Sequence, residues 1–205
     1  MKHPLEKFHF CPVCGSSRFE VNNVKSKRCH DCGFTYYMNP SAATVAVITS
    51  TGKMANSPST ESGGAVSSLP LSGEDRKGLY LLVVRRGKEP AKGTLDLPGG
   101  FSDMGETSEQ GVAREVLEET GLHVVRTEFL FSLPNRYVYS GLEIPTMDMF
   151  YRCEVAETVD ALHQSVHAMD DAAEALWVPI SELNPDDFGL ESIRRGIIKL
   201  KELLY

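Results

Sequence analysis

The chain has 205 residues, 41% of them hydrophobic, which is enough for one core-bearing domain and a small appendage. With 28 acidic against 21 basic residues its net charge is −7, which argues against nucleic acid as a partner; an acidic protein acting on anionic substrates needs metal ions. No stretch approaches the roughly 18 uninterrupted apolar residues of a membrane span, so no membrane partner is expected, and the expected compartment is the cytoplasm.

The first element is a cysteine cluster. Four of the five cysteines stand in Cys11-Pro-Val-Cys14-Gly15 and Cys29-His-Asp-Cys32-Gly33. Each turn presents two thiolates to one ion while its glycine lets the backbone fold back. Together Cys11, Cys14, Cys29 and Cys32 offer a closed tetrahedral site for structural Zn²⁺, with no position left for reactive water. The plainer alternative is free thiols or a redox pair. His30 reads as a bystander, and Lys25, Lys27 and Arg28 as a solvated turn rather than an RNA-facing patch. A ribbon over residues 1–38, with only about thirty residues, must draw its folding energy from the metal.

The remaining body, residues 39–205, opens with a β-branched strand at 44–49 and resumes with another at 79–85. Residues 50–78 between them are rich in Ser, Gly, Thr and Pro and poor in large apolar side chains, so a long flexible inserted loop is expected there. A helix is expected at 108–120: Thr107 with Gln110 makes a capping-box signature, and Gly121 suits the left-handed residue that closes a helix. Strands follow at 124–131, 147–155 and 175–178, and an amphipathic helix at 193–204. Cys153 and Trp177 read as core. Mixed strands with few helices predict an α/β or α+β fold.

The 108–120 helix carries the chemistry. At about 100° per residue, Val112, Ala113, Val116 and Leu117 share one arc, while Glu115, Glu118 and Glu119 share another. Like charges at these spacings repel by roughly 0.2–0.5 kcal/mol per pair. Arg114 is the only basic residue between Glu106 and Leu122. Divalent cations bound through carboxylate oxygens remove that repulsion, and Mg²⁺ takes a few carboxylates together with substrate phosphate oxygens and waters. Arg114, four residues before Glu118, is placed to hold that carboxylate. Taken alone, the helix also fits a merely solvated acidic face.

The segment from Gly100 to Leu122 resembles the Nudix box, G-x5-E-x7-R-E-U-x-E-E-x-G-U with U apolar, at every specified position. The resemblance implies a mixed β-sheet sandwiched between helices, and water attack on a substituted nucleoside diphosphate with Mg²⁺ or Mn²⁺. By position it implies that Glu115, Glu118, Glu119 and the Gly99 carbonyl bind metal, that Glu106 supports them and that Arg114 orients them. The base that takes the water's proton varies in the family; Glu115, Asp170, Asp171 and Glu174 are candidates.

A four-cysteine ribbon before a Nudix domain is similar to the arrangement in NADH pyrophosphatases and in some FAD and ADP-ribose pyrophosphatases. The NADH enzymes carry an S-Q-P-W-P-F-P segment after the box, where this chain has Phe131-Ser-Leu-Pro-Asn-Arg-Tyr137-Val-Tyr-Ser140. Here Tyr137 and Tyr139 suit stacking on a base and Arg136 a phosphate, although strand packing explains the tyrosines equally well. The expected substrate is a nucleotide-type small molecule such as NADH, FAD or ADP-ribose. A nucleotide-sensing module and a hydrolase of RNA 5′ ends are the alternatives. A homodimer is compatible with the chain.

Overall fold

The computed structural model describes residues 2–51, 79–157 and 172–204. Two compact units separate: Met1–Ser41 together with Arg136–Thr146, and Ala42–Asn135 together with Met147–Tyr205.

In the first unit, β1 (Phe19–Asn23), β2 (Ser26–Cys29) and β3 (Thr35–Tyr37) form an antiparallel three-stranded sheet. Its core is small: Cys11, Phe19 and Cys29 are buried, with Phe8 and Phe34 packed against them. So little apolar surface offsets only part of the entropy of ordering such a segment.

The second unit carries β4 (Ser41–Val47), β5 (Thr49–Thr51), β6 (Leu79–Arg86), β7 (Leu95–Asp96), β8 (Gly99–Phe101), β9 (Val124–Tyr139), β10 (Leu142–Val155) and β11 (Ala172–Pro179), except that Arg136–Thr146, the end of β9 and the start of β10, are assigned to the first. One sheet has the order β8-β4-β10-β9, the other β11-β6-β5 with β7 also on β6. Helices α1 (Ser108–Thr120) and α2 (Glu191–Leu204) complete it, with short 3-10 turns at Ile180–Glu182 and Pro185–Asp187.

Strand alternation explains how the helices attach. Val45, Val47, Leu81 and Val83 cluster with Ile193, Ile197 and Leu200 of α2. Their neighbours Ala46, Ile48 and Leu82 cluster instead with Val112 and Val116 of α1 and with Leu122. Successive residues of a strand point to opposite faces, so the same two strands bury one helix on each side. This is the mixed sheet between helices that the box resemblance implied. Cys153 and Trp177 join the α1 cluster, Cys153 fully buried and Trp177 partly. No helix among the described residues is long and apolar enough to cross a membrane.

Several boundaries differ from the sequence expectations. The β-branched run at 44–49 is divided between two sheets, because the chain changes sheet at Ile48. The expected loop at 50–78 loses its first two residues, which continue β5 beside β6; 52–78 lie outside the described residues. The expected strands 124–131 and 147–155 are the inner parts of a far longer hairpin. It turns at Ser140 and Gly141, both with positive φ, 49° and 75°, as a two-residue hairpin turn requires. The α1 packing face is also displaced: Val112 and Val116 are buried with Gly111 and Thr120, while Leu117 is 42% exposed.

Gly196 of α2 marks a close helix-sheet contact, since a Cβ there would lie 2.5 Å from the Phe150 ring, which is itself fully buried. Gly196→Ala is expected to cost about 1–3 kcal/mol by overpacking. A thermal melt checks this, at roughly 2–4 °C per kcal/mol for a domain of this size.

Candidate functional site

Helix α1 starts on a complete capping box. The Thr107 side chain accepts from the Gln110 amide and the Gln110 side chain accepts from the Thr107 amide, while Gly121 closes the other end at φ 72°. Both ends are thus fixed locally, which sets the rotation of the acidic face.

The strand before the helix is built for close approach. Val45 pairs with Gly99 and Thr44 with Gly100. A Cβ on Gly99 would sit 2.1 Å from the Thr44 carbonyl oxygen, so no side chain fits there. A Cβ on Gly100 would lie 2.5 Å from Glu115 Oε1, because the Glu115 carboxylate lies directly over that glycine.

Arg114 is the hub of the site. Its Nε and Nη2 donate to the two oxygens of Glu106 at 3.1 and 2.9 Å, its Nη1 to Glu115 at 2.9 Å and Glu118 at 3.0 Å, and its Nη2 also to the Phe101 carbonyl at 3.0 Å. Only a planar multi-donor guanidinium spans these acceptors at once. Glu106 also accepts the Asp103 amide, at 2.6 Å. The Arg114 contact holds its carboxyl below the usual range, and Arg114 in turn is held well above its own, chiefly by Glu106.

The other two glutamates of interest sit in drier surroundings. Burial raises Glu115 despite its Arg114 partner. Glu119, turned away from Arg114, accepts the Gly99 amide at 3.0 Å, and burial pushes its carboxyl up to about 8. Glu118 is the exposed member, its side chain 47% accessible. Three carboxylates thus meet a single guanidinium while Glu119 stands on the Gly99 amide, and burial withdraws Glu115 and Glu119 from water.

On the role that the box resemblance implies for Arg114, orienting metal ligands, Arg114→Lys is expected to lower turnover by about 10- to 100-fold. Steady-state kinetics at saturating substrate and metal measures it.

The four cysteines converge. Their sulfurs all lie within 4.8 Å of one another, with Cys11 to Cys32 and Cys14 to Cys29 both at 3.6 Å. A tetrahedron with Zn–S bonds of about 2.3 Å has edges of about 3.8 Å, so the spacing fits that ion. The two knuckles repeat one geometry: the Gly15 amide donates to the Cys11 carbonyl and the Gly33 amide to the Cys29 carbonyl, with φ 73° and 78° at the glycines. His30 faces Glu20 at 3.3 Å.

The proposed substrate residues are placed differently. Arg136, Tyr137 and Tyr139 belong to the compact unit of the cysteine ribbon, whereas α1 belongs to the other. Arg136 pairs with Glu143 at 2.8 Å, and Tyr139 is 59% exposed. Glu174, on β11, pairs with Arg85 at 3.1 Å. Asp170 and Asp171 lie outside the described residues. A feature absent from the sequence reading is the buried pair Arg86–Asp96 just before the glycines, at 2.5 Å. Its signal was available as an Asp directly preceding Leu97-Pro98-Gly99-Gly100.

The comparisons agree with this geometry. The NUDIX domain model matches residues 62–200, more than half of the chain, and the chain belongs to that family. Its class is that of a pyrophosphohydrolase. It is 33% identical over 122 residues to an ADP-ribose pyrophosphatase of Methanocaldococcus jannaschii, over 59% of this chain and 67% of that one. It is 26% identical over 132 residues to the NAD-capped RNA hydrolase NudC of Vibrio cholerae, over 64% of this chain but only 39% of that protein. The fold is similar to a crystal structure of a NUDIX hydrolase from Nitrosomonas europaea, with a TM-score of 0.56 at 19% identity, covering 94% of this chain and 90% of that one.

Proposed function

We propose that the chain hydrolyses the pyrophosphate linkage of a nucleoside diphosphate derivative, a dinucleotide such as NADH, FAD or ADP-ribose, with Mg²⁺ or Mn²⁺ held by Glu115, Glu118, Glu119 and the Gly99 carbonyl. The observation that carries this reading is the surplus of carboxylate at α1, where Glu106, Glu115 and Glu118 share one arginine, Glu119 has only the Gly99 amide, and burial raises Glu115 and Glu119. Oxygen donors in excess, part-buried beside a glycine strand, suit a hard divalent cation. When bound, such an ion supplies charge neutralisation at the diphosphate and a more acidic water.

The residues of the chain do the positioning. Arg114 gathers Glu106, Glu115 and Glu118 on one side, and the Gly99 amide holds Glu119 on the other. In the net reaction a water oxygen bonds to one phosphorus as the bridging oxygen leaves with the other. Two phosphate monoesters result, and the protons go to solvent.

The substrate class is supported by what the relatives' names share. ADP-ribose and an NAD cap both contain adenosine joined through a diphosphate to a ribose. Tyr137 and Tyr139 remain our candidates for a base-stacking surface, while Arg136 and Glu174 each hold an ion-pair partner that a ligand must displace. An intact set of box carboxylates favours hydrolysis over a sensing role. We further propose Zn²⁺ on Cys11, Cys14, Cys29 and Cys32, with residues 1–38 as its ribbon and 39–205 as the Nudix domain. The test is product release from NADH, FAD, ADP-ribose and nucleoside triphosphates with Mg²⁺ or Mn²⁺. Binding of nucleotide without hydrolysis of any of them overturns the enzymatic reading.

A further inference from the structure

The box leaves unexplained a polar contact in the interior ahead of it. Arg86 ends β6 and Asp96 ends β7, with side chains only 16% and 9% exposed, and Arg86 Nη1 donates to Asp96 Oδ2 at 2.5 Å. A buried ion pair gains little over an apolar pair of the same shape, so its presence asks for a role other than stability.

Its surroundings indicate that role. Arg86 is tied to the β6–β7 connection at three points: its Nε donates to the Pro90 carbonyl at 2.7 Å, its amide to the Thr94 carbonyl at 3.0 Å, and its carbonyl accepts the Gly93 amide at 2.8 Å. The other oxygen of Asp96 accepts the Leu97 amide at 2.8 Å. Next along the chain, the Pro98 carbonyl accepts the Ala46 amide at 2.7 Å, and the Gly99 amide donates to Glu119 at 3.0 Å. Three consecutive residues are thereby fixed in turn, by a carboxylate, by β4 and by the last glutamate of the box. The first fixture depends on Arg86 holding Asp96.

We propose that Arg86 and Asp96 are positioning residues that set the Leu97–Pro98–Gly99 backbone so that the Gly99 amide meets Glu119. The pair acts through the backbone that follows it, and its two charges also lie within electrostatic reach of Glu119 with opposite effects. The assignment rests on the reading of Glu119 as a metal-binding residue only for its consequence in catalysis, because the Gly99–Glu119 contact is a hydrogen bond between two groups of the chain itself.

The deciding experiment is amide hydrogen exchange on the full chain with no Mg²⁺ or Mn²⁺ added and no chelator present, comparing the wild type with Asp96→Asn and Arg86→Lys. Asp96→Asn keeps an oxygen for the Leu97 amide and removes the charge, while Arg86→Lys keeps the charge and loses the second donor to Pro90. In both variants protection of the Gly99 amide is expected to fall on the order of tenfold or more, while the amides of Leu82, which donates to the Ile48 carbonyl, and of Val116 keep theirs. Glu119→Gln supplies the reference for a broken Gly99 contact. Unchanged Gly99 protection overturns the proposal, and so does a parallel fall at all three amides, which is the mark of a purely stabilising pair. A Mn²⁺ titration of the same samples, read by water-proton relaxation, is expected to show affinity about 10- to 100-fold weaker in the variants. If the wild type itself takes up no Mn²⁺, the functional reading fails while the exchange result still decides the positioning role.

Discussion

Glu118→Gln is expected to lower turnover by about three orders of magnitude, since a carboxylate that binds a catalytic cation contributes several kcal/mol to the transition state and each ~1.4 kcal/mol is tenfold in rate. The same change should leave stability within about 0.5 kcal/mol of the wild type. Glu118 is the exposed glutamate of the α1 face, and its one hydrogen bond to Arg114 is a partly solvated i, i+4 contact. Glutamine keeps the shape and one oxygen while removing the charge, so the two readouts separate chemistry from folding. Loss of activity with an unchanged melting temperature is the expected result. A folded variant that retains turnover within about threefold would remove Glu118 from the metal-binding set, a change too small for a lost cation ligand.

The second large effect concerns the ribbon. Chelation of the Zn²⁺ proposed on its cysteines, or Cys29→Ser, is expected to unfold residues 2–41 while the α1-bearing unit stays folded. Zinc bound by such peptide sites contributes about 10–16 kcal/mol at pH 7, and the ribbon core of Cys11, Phe19 and Cys29 has little else to set against the entropy of ordering. Limited proteolysis read by mass spectrometry localises the loss. Trp177, the single tryptophan, packs against the α1 cluster and reports on the other unit, so its fluorescence should stay constant as the ribbon is cut. Cleavage throughout the chain at the same chelator concentration would instead mean that the two units depend on one metal.

The sequence pattern was most legible where local chemistry determines the conformation. Thr107, Gln110 and Gly121 announced both ends of α1, and the structure has them as the capping box and the left-handed cap. The spacing of Cys11, Cys14, Cys29 and Cys32 announced a four-sulfur cluster, because two identical glycine-backed turns leave the thiols little else to do. The apolar strands at 79–85 and 124–131 were legible as strands because β-branched and aromatic residues crowd them.

Other features were hidden because they depend on distant partners. Nothing local in the 44–49 run shows that it passes from one sheet to another at Ile48; β6 and β10 decide that. Leu117 reads as a core residue by helical phase, yet it is exposed because Gly111 and Thr120, small residues that a hydrophobicity count passes over, take the packed side. The Ser140–Gly141 turn lies beyond the expected strand end at Phe131, and β9 reaches it across Pro134 and Asn135, residue types that are depleted in strands. Arg114 was assigned one carboxylate by its i, i+4 spacing. It gathers three, and Glu106 reaches it only because the loop before α1 folds back over the helix.

The central claim is hydrolysis at a diphosphate between two nucleoside or sugar groups, and the most direct measurement is the product analysis of ADP-ribose incubated with the wild-type chain and Mg²⁺. The account predicts AMP and ribose 5-phosphate in equal amounts, formed only with divalent metal and lost in Glu118→Gln. ADP-ribose bound but recovered intact, with NADH, FAD and nucleoside triphosphates equally untouched under Mg²⁺ and Mn²⁺, would contradict it and make the α1 site a ligand-sensing one.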